Sequence, residues 1–164
     1  MKIQLFIISL LLCTSLMAQS FTGSGDHKVQ IGTNFQDNAT GIVATYDVGL
    51  GDNISVGLLT TYALGIDDKI DADFDDRFDV RGRVNANIGN VLNIDENFDL
   101  YPGLSLGLRN FGGHVGARFF FTEGFGLFSE IGFPIAKYNT DDLTPAEEIN
   151  NQFQFNAGLV FNLN

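Results

Sequence analysis

Residues 72–88 read ADFDDRFDVRGRVNANI. Phe74, Phe78, Val80, Val84 and Ile88 fall on one parity, and Asp79, Arg81, Arg83, Asn85 and Asn87 fall on the other. Successive side chains of a strand point to opposite faces, so this stretch predicts a strand with one apolar and one charged face. Residues 98–110, FDLYPGLSLGLRN, repeat the pattern. Phe98, Leu100, Leu104, Leu106 and Leu108 lie on one side, with Asp99 and Arg109 on the other.

Period-two alternation is the main sequence signal for strands, and six more segments carry it. They are 28–36, 41–50, 54–65, 113–122, 125–138 and 152–163. Gly51-Asp52-Asn53, Phe111-Gly112-Gly113 and Thr122-Glu123-Gly124 have the composition of tight hairpin turns. Such short connections force antiparallel neighbours. The expectation is an all-β fold, an eight-stranded antiparallel up-and-down transmembrane β-barrel.

Alternation alone does not separate a soluble sandwich from a membrane barrel, in which apolar residues face outward and polar ones line the lumen. Three features favour the barrel. The first is the leader: Met1-Lys2 opens it, Ile3 to Leu12 is apolar apart from Gln4 and Ser9, and Ala18 precedes Gln19. This is the layout of a cleaved secretory signal peptide over residues 1–18, leaving one barrel domain over 19–164. A lipoprotein leader ending at Cys13 is the alternative, but Leu12 is bulky where such leaders carry a small residue. The second feature is the charged parity, rich in small and amide residues such as Gly32, Asn34, Gly57, Gly103, Gly116, Gln154 and Asn156. These suit a narrow lumen. The third is aromatic residues near strand ends on the apolar parity, among them Phe98, Phe121, Phe125 and Phe161 at one end and Phe35, Tyr62, Phe78, Phe133 and Phe153 near the other.

Without the leader the chain has no cysteine, and 8 basic residues stand against 20 acidic ones, a net charge of −12. An acidic chain of this kind is a poor nucleic-acid binder, and no motif calls for a cofactor.

Residues 98–110 and 116–132, the latter GARFFFTEGFGLFSEIG, resemble the paired hairpins of small eight-stranded outer-membrane barrels of Gram-negative bacteria. The type is often called simply an outer membrane beta-barrel protein, similar to the OmpA and OmpX transmembrane barrels. The resemblance is architectural over the mature chain and specific over roughly 98–135. It implies the fold and a place in the cell outer membrane, among outer-membrane lipid and lipopolysaccharide, after handling by the assembly machinery. It implies no single activity. Trp, common in membrane girdles, is absent. In this frame both termini lie in the periplasm. Connectors 37–40, 66–71, 111–112 and 139–151 face outside, and 51–53, 89–97 and 123–124 face the periplasm.

The candidate site is the lumen. Lys28, Asp47, Asp79, Arg81, Arg83, Asp99, Arg109, Arg118 and Glu130 all fall on the inward parity. An eight-stranded barrel is just wide enough for side chains to fill it, so an ion-pair and hydrogen-bond plug is expected. A gated conduction path is the alternative. Glu130 is expected opposite or diagonal to Arg118, and Asp47 near Gln30 and Lys28. Asp71, Asp73 and Asp75 match the start of a calcium loop, but Asp76 and Gly82 stand where that loop needs Gly and Glu. They remain weak metal candidates. His114 is placed at the start of the sixth strand near the outer rim, with no recognisable nucleophile or orienting carboxylate. The functional expectation is therefore a non-enzymatic barrel with a structural or surface-interaction role and acidic extracellular loops. A narrow pore, or less readily a membrane-embedded lipid-modifying enzyme, is the alternative. The length of segment 72–88 adds one proposal: its upper part projects beside an extended third strand and offers an edge to a surface partner.

Overall fold

A computed structural model describes residues 19–163, so the expected leader lies outside the described residues. Eight strands follow in order: β1 (His27–Gln36), β2 (Ala39–Gly51), β3 (Ile54–Ile66), β4 (Phe78–Ala86), β5 (Phe98–Gly107), β6 (Asn110–Thr122), β7 (Phe125–Lys137) and β8 (Gln154–Asn162). Each pairs antiparallel with the next, and β8 returns to pair with β1, closing the barrel. Closure leaves no long free edge, which an open sheet of this size would have to protect.

The connectors divide between two rims. Those at 37–38, 67–77, 108–109 and 138–153 form one, here the loop rim. The chain ends and the turns at 52–53, 87–97 and 123–124 form the other, the terminal rim.

The faces follow the parity expected from the sequence. Leu106 is 63% exposed on the outside, whereas Arg83 is 3% exposed inside. Outward Ile31, Ile42, Leu58, Val84, Leu104 and Leu127 are likewise exposed. An apolar outer wall around a charged interior inverts the arrangement of a soluble barrel.

The fourth segment is shorter than its alternation implies. Residues Phe74–Arg77 form a helical turn, not a strand. Asp76 Oδ2 accepts from the Asp73 backbone N–H at 3.2 Å, and the Arg77 N–H reaches Asp73 O. Short acidic side chains compete for backbone donors in this way and favour turns over ladders. Phe74 folds against Tyr62 and Phe78. The projecting edge at 72–77 does not exist, and with it goes the basis for strand addition there.

The β5–β6 connection also moves, from the expected 111–112 to Leu108 and Arg109. Gly112 and Gly113 lie inside β6. A Cβ on Gly112 would sit 2.9 Å from Phe133 O and 3.1 Å from Ser105 Oγ, so crowding rather than a turn explains that glycine. The β4–β5 seam is the shortest of the barrel, running only from Arg81↔Gly107 to Asn85↔Gly103. Below it, the Ile88 N–H bonds Leu100 O as the chain enters a second helical turn, Gly89–Leu92.

Candidate functional site

The lumen is filled by side chains from every strand. At mid-depth Arg83 of β4 forks onto Asp47 of β2, with Nε to Oδ1 at 2.7 Å and Nη2 to Oδ2 at 2.5 Å. Its Nη1 donates to Glu130 Oε2 of β7 at 2.8 Å. Arg118 of β6 donates to the same Asp47 carboxylate, to Gln30 Oε1 at 2.5 Å and to Asp99 Oδ2 at 3.5 Å. Tyr101 is fully buried with the Arg118 guanidinium 3.9 Å from its ring centre, and Gln30 donates to its hydroxyl. The ring takes the place of a side chain on its β6 partner: a Cβ on Gly116 would sit 2.1 Å from Tyr101 Cζ.

Five of the nine expected lumen charges thus converge here: Asp47, Arg83, Asp99, Arg118 and Glu130. Glu130 and Arg118 are diagonal neighbours, but they do not pair with each other. Glu130 goes to Arg83, because Arg118 lies opposite Phe128 and reaches across to Asp47. Lys28 lies opposite Asp47, yet its ammonium turns down to Asp26 at 2.6 Å. Asp79 and Arg81 pair nearer the loop rim at 2.5 Å. Arg109 is a correction: it sits on the β5–β6 turn at the rim, not in the lumen. There it donates to the backbone of Asp75 and Glu147 and pairs with Asp76 at 3.5 Å.

Buried charge is tolerable only when paired and hydrogen-bonded, and amides add to the ion pairs, although Asp79 Oδ1 and Asp99 Oδ1 are buried without a hydrogen-bond partner. Asn87 Nδ2 donates to Asp99 at 2.7 Å, and Asn156 Nδ2 to Glu130 Oε1 at 3.4 Å. His114 is four residues inside β6, not at the rim. It is buried, hydrogen-bonded to Asn85 at 2.7 Å, and its ring meets Tyr101. Asp71, Asp73 and Asp75 do not converge. Among the described residues, no group of three or more His, Cys, Asp or Glu is placed to hold a metal ion.

A buried chain segment packs into each mouth, and sequence reasoning missed both. At the loop rim, residues 146–151 turn into the opening. Asn150 Oδ1 accepts from Thr61 Oγ1 at 3.0 Å and Gln36 Nε2 at 3.2 Å. Its backbone carbonyl accepts from Arg81 Nη2 at 2.6 Å and Asn110 Nδ2 at 3.2 Å. Beside it, Ile149 is fully buried against Ala39 and Ala63.

At the terminal rim, residues 20–26 cross the opening. Ser20 N–H donates to Glu96 O, Asn90 Nδ2 to Phe21 O, and Gly25 and Asp26 exchange backbone bonds with Gly49. Phe21 is buried, and Lys28 lies over both Phe21 and Phe120. The strap fastens to β2 and to the long 87–97 connector. An apolar cluster of Val43, Leu59, Phe120, Phe128 and Val160 also occupies inward positions. Its signal was present, since Val43, Phe120 and Phe128 stand on the polar parity of their strands.

These features define a small antiparallel barrel with an apolar exterior and a filled, charged interior. The chain belongs to a Family of unknown function (DUF6646), whose model matches residues 11–163. No curated protein matches the chain. Among solved structures it is similar to a chain described as "De novo design of transmembrane beta-barrels", with a TM-score of 0.55 at 11% identity. The match covers 87% of this chain and 98% of that one. The likeness concerns the fold.

Proposed function

We propose that this protein is an outer-membrane barrel with a structural or surface-interaction role, exported by its leader and closed to solute flow. The carrying observation is the inversion of faces: an exposed apolar wall around a lumen of paired charges. In lipid every backbone group must be bonded internally, and a closed barrel meets that demand. Lipid and lipopolysaccharide surround the wall, and the assembly machinery receives the chain. The loop rim faces outside, where its connectors hold eleven acidic residues against Lys69, Arg77 and Arg109. That acidic crown is the face offered to a surface partner. Nucleic acid is a poor fit to it, because phosphates would be repelled.

Fractionation with carbonate washing tests location: the protein stays in the outer-membrane pellet, and recovery in the periplasmic supernatant overturns the reading. Leu106→Arg tests facing. It costs about 2–4 kcal/mol if residue 106 lies near the midplane, and wild-type stability of the refolded variant would refute the outward assignment. Planar-bilayer recording tests closure, with no unitary conductance expected.

A further inference from the structure

Two of the three terminal-rim turns are short and polar, Asp52-Asn53 and Glu123-Gly124. The third, 87–97, is long and carries Val91, Leu92 and Ile94, all exposed. Hydrogen bonds fix it at both ends. The Ile88 N–H bonds Leu100 O at 2.8 Å, and the Phe120 N–H bonds Asn97 O at 2.9 Å. A side chain on Gly89 would strike Phe98 O. The helical turn Gly89–Leu92 therefore lies beside the first residues of β5, where the β4 ladder would otherwise continue. Asn90 Nδ2 donates to Phe21 O of the strap at 3.0 Å, so this side chain reaches toward the mouth. At 3.6 residues per turn, Leu92 is rotated about 200° from Asn90. Leu92 thus faces away from the mouth.

We propose that residues 91–94 are an interfacial anchor, bedded in the phospholipid leaflet on the terminal-rim side of the membrane. The inference rests on the membrane reading above. Three observations choose lipid as the occupant. The first is level. Phe98, which follows the connector, lies opposite Phe119 on β6. Phe119 packs on Phe121, Phe121 on Phe125 and Phe125 on Phe161, with ring centres 5.6–6.2 Å apart. An aromatic row of this kind on the outside of a barrel marks the membrane interface, and the connector is tied to β6 beside it at Phe120. The second is continuity. The helical turn completes the wall below the short β4–β5 seam, so its outward side chains extend the surface that lipid covers. The third is the backbone. The Leu92 N–H bonds Ile88 O and the Phe98 N–H bonds Asp95 O, but irregular chain between them needs water for its remaining polar groups. The boundary between headgroups and acyl chains supplies both water and hydrocarbon.

The chain has no tryptophan, so one introduced indole reports its own surroundings without background. The test is tryptophan fluorescence of the purified protein in phosphatidylcholine vesicles, with and without acyl chains brominated near the headgroup end. Leu104→Trp, on the open wall, is the reference for the membrane reading. Loss of its emission in brominated vesicles is expected, and its full retention overturns that reading, whatever the connector does. Leu92→Trp, and separately Ile94→Trp, should emit at shorter wavelength than the unfolded protein and lose emission to the brominated lipid. Asp52→Trp, on a polar turn of the same rim, should keep its emission and remain open to aqueous acrylamide. Quenching of Leu104→Trp but of neither connector variant overturns the anchor and leaves the barrel in its membrane. Equal quenching of Asp52→Trp and Leu92→Trp also overturns it, because the indole and not the connector would then be seeking lipid. A shielded, blue-shifted Leu92→Trp that brominated chains do not reach replaces lipid with a second copy as the occupant.

Discussion

The loop-rim mouth is held by a neutral hub, and the terminal-rim mouth by a charged strap. Asn150 gathers donors from β1, β3, β4 and β6 onto one amide and one carbonyl. Its backbone has φ 64°, a left-handed conformation that Asn adopts more readily than most residues. At the other end, Ser20 to Asp26 spread their bonds over β2 and the 87–97 connector, and bury the Lys28 ammonium against Asp26. The hub makes many bonds whose net worth is about 1 kcal/mol each. The strap holds one charge that becomes expensive the moment its partner leaves. The two closures thus differ in how they fail: one loosens in small steps, the other breaks at a single residue.

The largest effect lies between the mouths, in the mid-depth ion-pair floor of the lumen. Arg83→Leu leaves Glu130 without a cation and takes the fork from Asp47. Removing one partner of a buried pair costs about 3–5 kcal/mol. Urea unfolding in detergent should show a correspondingly lower midpoint, and Glu130→Leu added to Arg83→Leu should recover part of it. A single variant as stable as wild type would break the account of the floor.

Asp26→Ala comes next and tests the strap. It strands Lys28, whose side chain is 1% exposed, at a cost of about 3 kcal/mol. Adding Lys28→Met should restore most of that loss, because the charge itself is then gone. No recovery in the double variant would show that the strap is held by its backbone bonds instead.

Asn150→Ala tests the hub and should cost less, about 1–3 kcal/mol, since the buried Thr61 hydroxyl and the half-buried Gln36 amide lose a neutral acceptor. Asn150→Gly removes the same amide but relaxes the left-handed backbone. It should therefore be milder than Ala by about 1 kcal/mol. Equal losses would mean that φ plays no part.

These closures mark the limit of what the sequence discloses. The strands were legible because alternation is local, and so was the facing, because Asp79, Arg81 and Arg83 share a parity. The same rule overextended the fourth strand to Ala72: Asp73 and Phe74 alternate, but Asp76 bonds the Asp73 N–H and curls the chain. The lumen charges were legible as a set and not as pairs, since a long guanidinium reaches across the barrel while register constrains only neighbours. Asn150 gave no signal, because its role arises from contacts with strands distant in sequence; Asp26 gave none because it lies ahead of the first alternating segment, where no parity marks it against Lys28. Arg109 kept the right parity and missed the lumen because the turn moved three residues toward the N-terminus.

The smallest effect concerns the turn that presents the hub. Glu147 accepts from the Thr144 N–H at 2.8 Å and from Thr144 Oγ1 at 2.9 Å, while its own N–H returns to Thr144 Oγ1 at 3.4 Å. The bonds from Thr144, backbone first and hydroxyl second, favour the ionised carboxyl and hold it below the usual glutamate range. The sign follows directly. A carboxyl whose value is depressed in the folded state contributes stability above its unfolded value and loses it as pH falls through the folded one. Acidification through that window should therefore loosen the 144–147 turn and speed amide exchange at Glu147. The group is solvent-exposed, so the effect on global stability is small. An NMR titration of the Glu147 carboxyl carbon gives the midpoint, which should rise toward the ordinary value in Thr144→Ala. Glu147→Gln should remove the acid-dependent step in exchange. A wild-type midpoint at or above the ordinary glutamate value would remove this pH sensitivity from the loop-rim mouth, leaving the neutral hub without a titrating support.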